Sequence, residues 1–140
     1  MASYHIDLSK SIEELENDYW ITAEFQTILV DKCHRLRQIP IEELTIEQTR
    51  LLITQNIGLE FLIPKAMELL NDNILAGGNY YPGDLLNSVL TVKTSYWENH
   101  TSSKTQVIEF LKEKRQGIED KNASNRFAQI LKTIDSFLNN

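Results

Sequence analysis

Apolar residues recur at intervals of three and four along most of the chain, and this spacing constrains the fold more than any other feature. It is clearest near the C-terminal end, where the repeat comprises Phe127, Ile130, Leu131, Ile134, Phe137 and Leu138. Such spacing places apolar side chains on one face of a helix, whereas a half-buried strand alternates with a period of two. No segment alternates convincingly with that period. We therefore expect an all-α protein of about six or seven helices, packed as one compact domain over residues 1–140.

Two helix starts are marked by the residue pairs of a capping box. Ser11 precedes Glu14, and Thr45 precedes Gln48, each at the spacing at which the two residues satisfy each other's backbone N–H groups. A further helix is predicted from Phe25 to Gln38, because its apolar residues at 25, 28, 29, 33 and 36 form a single stripe.

Glycine and proline residues predict where other helices end or begin. Gly58 and Gly117 are each expected to end a helix, since glycine adopts left-handed backbone without a steric cost. Pro64 interrupts a long apolar run and is tolerated in a first helical turn. That helix is therefore predicted to begin near Leu62 or Ile63.

The net charge of −6 is unevenly distributed along the chain. Residues 1–100 hold 15 acidic and 7 basic side chains, whereas residues 101–140 hold 5 acidic and 7 basic ones. A nucleic-acid-binding protein would carry a basic face, so this function class is not expected. The acidic surface suits either a soluble protein in general or one that meets a basic partner there, and charge alone does not choose between them.

The remaining composition indicates a reducing, cytoplasmic environment. The single cysteine, Cys33, excludes an internal disulfide framework. The first residues lack a basic segment followed by an apolar one, as a signal peptide requires. No stretch approaches the roughly 20 apolar residues of a membrane helix, so no membrane partner is expected. We predict a cytoplasmic protein.

Residues with catalytic or metal-binding potential are few. No pair of the three histidines has metal-ligand spacing, and Cys33 lies on an apolar stripe, which favours a buried structural thiol over a nucleophile. Gly78 and Gly83 are spaced as in a phosphate loop, but Asp84 follows where a lysine is needed. Two glutamates of the first helix are spaced to share one face, as in helical magnesium sites. Such a site requires a second pair of carboxylates on another helix, and the sequence lacks a suitable pair. We expect no catalytic residue, no metal and no cofactor.

Three short motifs in combination carry a family resemblance. They are QNIGL at Gln55–Leu59, LIP at Leu62–Pro64 and YPGDLL at Tyr81–Leu86. Together with flanking residues from about Ser11 to Trp97, they resemble the immunity proteins of contact-dependent growth inhibition (CDI) systems. Residues 98–140 do not match a family pattern.

The resemblance implies a protein without catalysis of its own. Such immunity proteins stay in the cytoplasm and bind the cognate C-terminal toxin domain of a CdiA-type effector. Many of these toxins are nucleases, often acting on tRNA. Two alternatives from other classes stay open: a helical adaptor with another cytoplasmic partner, and, with less support, a metal-dependent nucleotide hydrolase.

An acidic face is the predicted toxin-binding surface. A nuclease has a basic cleft because it attracts a polyanion, and carboxylates that occupy this cleft also speed association. The candidate residues lie on the first helix and around the glycine-containing loop: Glu13, Glu14, Glu16, Asp18, Asp72, Tyr80, Asp84 and Glu98. For Asp84 the alternative of a structural helix-capping role stays open.

Overall fold

The computed structural model describes residues 6–21 and 27–140, and these ranges contain eight α-helices and no β-strand. The helices are α1 (Ile12–Glu16), α2 (Ile28–Leu36), α3 (Ile46–Thr54), α4 (Leu59–Asp72), α5 (Asp84–Leu90), α6 (Thr94–Glu98), α7 (Thr101–Asp120) and α8 (Ala128–Leu138). The all-α prediction is confirmed. The count exceeds the expected six or seven, and the two shortest helices, α1 and α6, have five residues each.

One apolar core holds the helices together. α3 packs against both α4 and α5, and α8 packs against α5 and α7. Five leucines in and before the motifs are core candidates; Leu52, Leu62, Leu85 and Leu86 are fully buried, and Leu51 is half-buried against them. The leucines at 62, 85 and 86 of two motifs therefore lie in the core, whereas Gln55, Asn56, Pro64, Tyr81 and Pro82 of the same three motifs are exposed.

Both capping boxes are confirmed. The Ser11 hydroxyl accepts a hydrogen bond from the Glu14 amide at 3.3 Å, and the Glu14 carboxylate accepts one from the Ser11 amide at 3.0 Å. Thr45 and Gln48 form the same reciprocal pair at 3.1 and 3.0 Å. Each box satisfies two N–H groups that a helix start otherwise leaves without partners.

The predicted start of α4 is wrong. The helix begins at Leu59, so Pro64 lies in its second turn, not its first. Gly58 does adopt left-handed backbone (φ +62°), but it precedes α4 directly and does not end α3, which stops at Thr54. A proline at this position removes one backbone hydrogen bond. The buried face of α4, which includes Leu62 and Ile63, outweighs that loss.

The predicted helix end at Gly117 is also wrong. α7 continues to Asp120 because Ile118, immediately after the glycine, is fully buried and extends the apolar stripe of Val107 and Leu111. Burial of an isoleucine contributes roughly 2 kcal/mol, which exceeds the cost of about 1 kcal/mol for a glycine within a helix.

Gly117→Ala is therefore expected to raise the free energy of unfolding by about 0.5–1 kcal/mol. Gly117 is exposed in mid-helix, and a Cβ atom there meets nothing within 4 Å. Urea denaturation measures the effect, with Gly58→Ala as the opposite case. At Gly58 the left-handed backbone and a Cβ at 2.9 Å from Ile12 Cδ1 predict a loss of about 1–2 kcal/mol. If both variants shift stability in the same direction, this explanation of the two glycines is wrong.

The helix predicted over 25–38 is shorter and less buried than its apolar stripe indicated. α2 begins at Ile28, after Thr27, and ends at Leu36, while Phe25 lies outside the described residues. Cys33 and Leu36 are buried as expected. Ile28, however, is 91% exposed, so the stripe reaches the core only in the second half of the helix.

Candidate functional site

Two of the predicted acidic residues, Glu16 at the end of α1 and Asp18 after it, contact a buried arginine that follows α2. Arg37 is 1% exposed, and its Nη2 atom donates to the Glu16 carboxylate at 2.8 Å and to the Asp18 backbone carbonyl at 2.7 Å. The Asp18 carboxylate is 4.0 Å from the same nitrogen. Glu16 and Asp18 therefore compensate a buried charge in addition to facing solvent.

Trp20 covers the other side of this arginine. The Arg37 guanidinium lies 4.2 Å from the centroid of the Trp20 ring, a cation–π contact. The same ring meets His34 of α2 edge-on at 6.1 Å. Arg37, Trp20 and His34 together fasten the segment after α1 onto α2. We refer to these three residues as the arginine cluster.

Glu13 and Glu14 differ in what they do for the fold. The pKa of Glu14 is lowered by its hydrogen bonds to the backbone and side chain of Ser11, so this residue serves the capping box. The Glu13 side chain is half-buried and has no ion-pair partner in the part of the chain that is described. Among the four carboxylates on and after α1, Glu13 is thus the one that forms neither a side-chain hydrogen bond nor an ion pair with a described residue.

The second group of predicted residues belongs to residues 76–83, which we call the glycine loop. Asp84, directly after it, is 3% exposed and accepts hydrogen bonds from three loop amides. The amides are those of Gly78 at 2.7 Å, Tyr80 at 3.1 Å and Tyr81 at 3.4 Å. The role of Asp84 is therefore structural, but it is not the expected helix cap: Gly83 is the N-cap residue of α5, and the Asp84 carboxylate holds the preceding loop.

Two residues of α3 that sequence reasoning missed hold the outer side of the glycine loop. Glu47 accepts a hydrogen bond from the Asn79 amide at 2.9 Å and binds Arg50 through both of its carboxylate oxygens, at 2.7 and 2.6 Å. A Cβ atom on Gly78 would collide with the same carboxylate and lie 3.1 Å from Glu47 Cα, so a larger residue there would displace the Glu47 side chain from its partners. The spacing of Glu47 and Arg50 on one helix was a visible signal for the ion pair, but not for its loop partner.

The result is a braced loop that presents tyrosine to solvent. The Arg50 guanidinium lies 4.6 Å from the centroid of the Tyr80 ring, and Tyr80 is nevertheless 71% exposed. Tyr81 is 49% exposed. Because the backbone beneath them is held at Gly78, Asn79, Tyr80 and Tyr81, little ordering entropy remains to be lost when a partner contacts these rings.

The last two predicted residues form no side-chain hydrogen bond or ion pair with either group in the described part of the chain. Asp72 is exposed at the end of α4, and Glu98 is exposed at the end of α6. α6 packs against α7, and its Trp97 contacts Phe137 of α8 edge-on at 5.5 Å. Neither carboxylate has an ion-pair partner among the described residues. Some of the eight predicted residues thus hold Arg37 and others hold the glycine loop, and no hydrogen bond or ion pair among the described residues joins the two sets.

Groups that would support chemistry are sparse within residues 6–21 and 27–140. No cluster of three metal-ligating side chains occurs there. Burial raises the pKa of the Cys33 thiol, which disfavours the nucleophilic thiolate form. Among the described helices, none combines the length and apolar character needed to cross a bilayer.

Stability is expected to fall as the pH drops from about 5 to about 3. Hydrogen bonds from Arg50, and then from the Asn79 amide, hold the pKa of Glu47 below its usual 4.5. Arg115 lowers the pKa of Asp135 in the same way. A carboxylate with a lowered folded-state pKa stabilises the fold above its unfolded-state pKa, and this contribution is lost as the pH falls through the folded-state value.

In Glu47→Gln, the free energy of unfolding should fall less steeply with decreasing pH than in the wild type. Urea denaturation at pH 7 and pH 4 measures the slope, with Glu98→Gln as the matched control because the Glu98 carboxylate has no ion-pair partner among the described residues. A profile for Glu47→Gln as steep as that of the wild type would contradict the assigned role of the Glu47–Arg50 pair.

Comparison with known proteins agrees with the motif-based expectation. The family model of CDI immunity proteins matches residues 14–107, from α1 into α7, and this range contains both the arginine cluster and the glycine loop. No curated protein and no solved structure matches the chain. The matched range covers more than half of the chain and includes the motifs at Gln55–Leu59 and Tyr81–Leu86. This chain therefore belongs to the family of CDI immunity proteins.

Proposed function

We propose that this chain is a cytoplasmic immunity protein that binds the cognate C-terminal toxin domain of a CdiA-type effector and neutralises it by stoichiometric protein–protein inhibition. Family membership over residues 14–107 is the observation that carries the proposal. The described residues add a rigid scaffold with exposed acidic and aromatic side chains, which is what an inhibitor needs. In this proposal the protein has no catalytic activity.

The toxin in this proposal is a nuclease, with tRNA as its substrate class. Such an enzyme presents a basic surface because it attracts a polyanion. The surface proposed to meet it carries Glu13, Glu14, Glu16 and Asp18, with Tyr80, Asp72 and Glu98 as further contacts. Arg37 neutralises part of the charge on Glu16 and Asp18, so the steering charge is smaller than the sequence suggests. Asp84 contributes indirectly, by fixing the loop that carries Tyr80.

A protection assay tests the proposed function. The toxin domain encoded immediately upstream of this gene is expressed in a sensitive host, with and without this protein. Growth arrest without the protein and normal growth with it is the expected result. If the toxin arrests growth to the same extent in both cases, the immunity function is excluded.

Single charge reversals then identify the acidic contacts. Glu13→Lys, Asp72→Lys and Glu98→Lys avoid the carboxylates that hold Arg37, the capping box and the glycine loop. Each reversal on the toxin-facing side should slow association about tenfold at low salt, and the difference should fade at high salt. Glu109→Lys, an exposed reversal on α7, is the matched control. Association rates that are equal for all four variants would contradict electrostatic steering.

A further inference from the structure

A groove of about 350 Å³ lies between the glycine loop and the start of α8, and we refer to it as the α8 groove. Tyr81 and Pro82 line it from the loop, whereas Arg126, Phe127 and Ile130 line it from α8 and the turn before it. Because these residues border one cavity, they form a single surface. A cavity of about 150 Å³ already holds a benzene ring, so the α8 groove has room for more than one side chain of a partner.

The fold holds both sides of the α8 groove in place. α5 packs against α8, and a Cβ atom on Gly83 would lie only 3.9 Å from Ile130 Cγ1. The loop side is fixed by the backbone hydrogen bonds described above. On the side of α8, the Phe127 amide donates to the Asn122 side chain at 2.7 Å. The α8 groove is therefore preformed, and little ordering entropy is lost when a partner fills it.

The turn that leads into α8 has an uncommon backbone conformation. Ser124 (φ +61°) and Asn125 (φ +57°) are both left-handed, although neither is glycine. Residues held in such conformations are concentrated at binding and catalytic sites, where the surrounding structure maintains the strain. Arg126 follows this turn directly, so the left-handed pair determines where the chain delivers its side chain.

The acidic residues of the elements that form the α8 groove already have partners. The glycine loop has no charged residue, and the only acidic residues of α5 and α8 are Asp84 and Asp135. Asp84 binds loop amides, and Asp135 accepts two hydrogen bonds from Arg115 at 2.8 Å. At the end of α7, Arg115 also binds Glu119 at 2.9 Å, and Asp120 accepts a hydrogen bond from a glutamine of the same helix at 2.9 Å.

The basic residues of the same region have no such partners. Three of them lie between positions 121 and 132, all exposed, and none forms an ion pair within the described ranges: Lys121, Arg126 and Lys132. Arg126 is the one that lines the α8 groove, with its guanidinium 4.8 Å from the centroid of the Phe127 ring. The α8 groove is therefore locally positive in a protein whose net charge is −6.

This combination of charge and apolar lining indicates the chemistry of the occupant. An apolar side chain next to an aspartate or glutamate complements both the ring of Phe127 and the guanidinium of Arg126. A second copy of this chain could supply acidic residues, but two chains that each carry a charge of −6 repel each other. A toxin with a basic surface is attracted instead, and a carboxylate of that toxin at Arg126 would then fix its orientation.

The two sides of the α8 groove differ in their relation to the family. The glycine loop lies within the matched range of residues 14–107, whereas the residues from Arg126 to Ile130 lie beyond it. One side of the α8 groove is thus part of what the family shares, and the other side is not. Discrimination between toxins requires contacts that suit one partner and disfavour the others, and residues outside the shared range can provide them.

We propose that the α8 groove is a specificity site of the toxin interface, and that it binds an apolar side chain of the toxin flanked by a carboxylate that pairs with Arg126. The proposal rests on the immunity function proposed above. In this arrangement the carboxylates elsewhere on the protein steer a basic toxin, and the α8 groove selects one docking orientation because its charge is opposite.

Arg126→Glu tests the charge of this site. Binding to the purified cognate toxin domain, measured by surface plasmon resonance, should weaken about 30-fold or more, because two like charges then meet in the α8 groove. Lys121→Glu is the matched control: it reverses an exposed, unpaired base five residues earlier that does not line the α8 groove, and it should change the Kd less than about threefold. Both side chains are exposed, so both variants should keep the wild-type midpoint of urea denaturation.

Gln129→Trp tests the shape of the site without changing its charge. Gln129 is exposed and lines the α8 groove, so an indole ring there occupies the space proposed for the toxin side chain. Toxin binding should weaken about tenfold or more, mainly through faster dissociation. Ala128→Trp places the same ring one position earlier, at an exposed residue outside the lining of the α8 groove, and should bind as the wild type does.

Three results would overturn this assignment while the immunity function stands. Arg126→Glu could bind the toxin as tightly as Lys121→Glu does, or Gln129→Trp as tightly as Ala128→Trp does. The third is a wild-type chain that is dimeric by light scattering and becomes monomeric in Arg126→Glu, which makes the α8 groove a self-interface. If the wild type neither binds the toxin nor protects the host, the proposed function fails, and the specificity site fails with it.

Discussion

Arg37→Met is expected to lower the free energy of unfolding by about 2–3 kcal/mol. The change removes the bond to the Glu16 carboxylate, the bond to the Asp18 carbonyl and the contact with Trp20, while it keeps most of the side-chain volume. Loss of one partner from a fully buried ion pair costs about 3–5 kcal/mol. The loss here is smaller because the Glu16 side chain is 34% exposed and regains water. Arg37 Nε, moreover, is buried without a hydrogen-bond partner among the described residues, and its removal relieves that cost.

Arg35→Met is the matched control for this prediction. Arg35 lies two residues earlier and also forms an ion pair, with Asp31 at 3.0 Å, but its side chain is 76% exposed. Surface pairs of this kind contribute about 0–1 kcal/mol. Urea denaturation followed by tryptophan fluorescence measures both variants, and Trp20 reports directly on the arginine cluster. Equal stabilities of the two variants would show that Arg37 does not fasten the α1 segment.

Local signals in the sequence predicted local structure correctly. The two capping boxes at Ser11 and Thr45 depend on residues three apart, so their geometry follows from the sequence once a helix forms. The C-terminal periodicity likewise gave α8 almost to the residue. The predictions at Pro64 and Gly117 were wrong because they rested on local signals alone. At both positions the helix-breaking tendency of the residue is outweighed by the burial of neighbouring side chains against distant helices, which the local sequence does not reveal.

The candidate site was harder to predict because its contacts join distant residues. Glu47 and Asn79 are 32 positions apart, and Arg37 and Glu16 are 21 apart. The sequence therefore identified Glu16 and Asp84 as acidic residues, but not as residues that hold an arginine and a loop. The apolar spacing on α2 was also ambiguous, because the same pattern describes a side chain that faces the core and one, such as Ile28, that faces solvent.

Asp84→Ala is expected to release the glycine loop and to lower the free energy of unfolding by about 3 kcal/mol. The buried carboxylate is the hydrogen-bond acceptor for the amides of Gly78, Tyr80 and Tyr81. A hydrogen bond to a charged group contributes roughly 1.5–3 kcal/mol, and bonds that share one acceptor group are not additive. Asp84→Asn keeps one acceptor oxygen but points an NH₂ group at backbone donors, so an intermediate loss of about 1–2 kcal/mol is expected.

Hydrogen exchange separates a released loop from a general loss of stability. In Asp84→Ala the amides of Gly78, Tyr80 and Tyr81 should exchange much faster than the global stability of the variant explains, because the loop opens without the core. Asp72→Ala removes an exposed carboxylate that has no described ion-pair partner, and it should leave both exchange and stability unchanged within about 0.5 kcal/mol. Protection of the three amides in Asp84→Ala that matches the wild type would contradict the loop-fixing role.

A double-mutant cycle then shows whether Asp84 affects toxin binding only through the loop. If the buried carboxylate acts by placing Tyr80, then Tyr80→Ser should weaken binding in the wild-type background and have little further effect once Asp84 is alanine. Additive losses in the double variant would mean that the two residues act independently. In that case Asp84 would have a role in binding that its 3% exposure in the free protein does not explain. Coupled losses would instead assign Asp84 to the scaffold and Tyr80 to the contact surface.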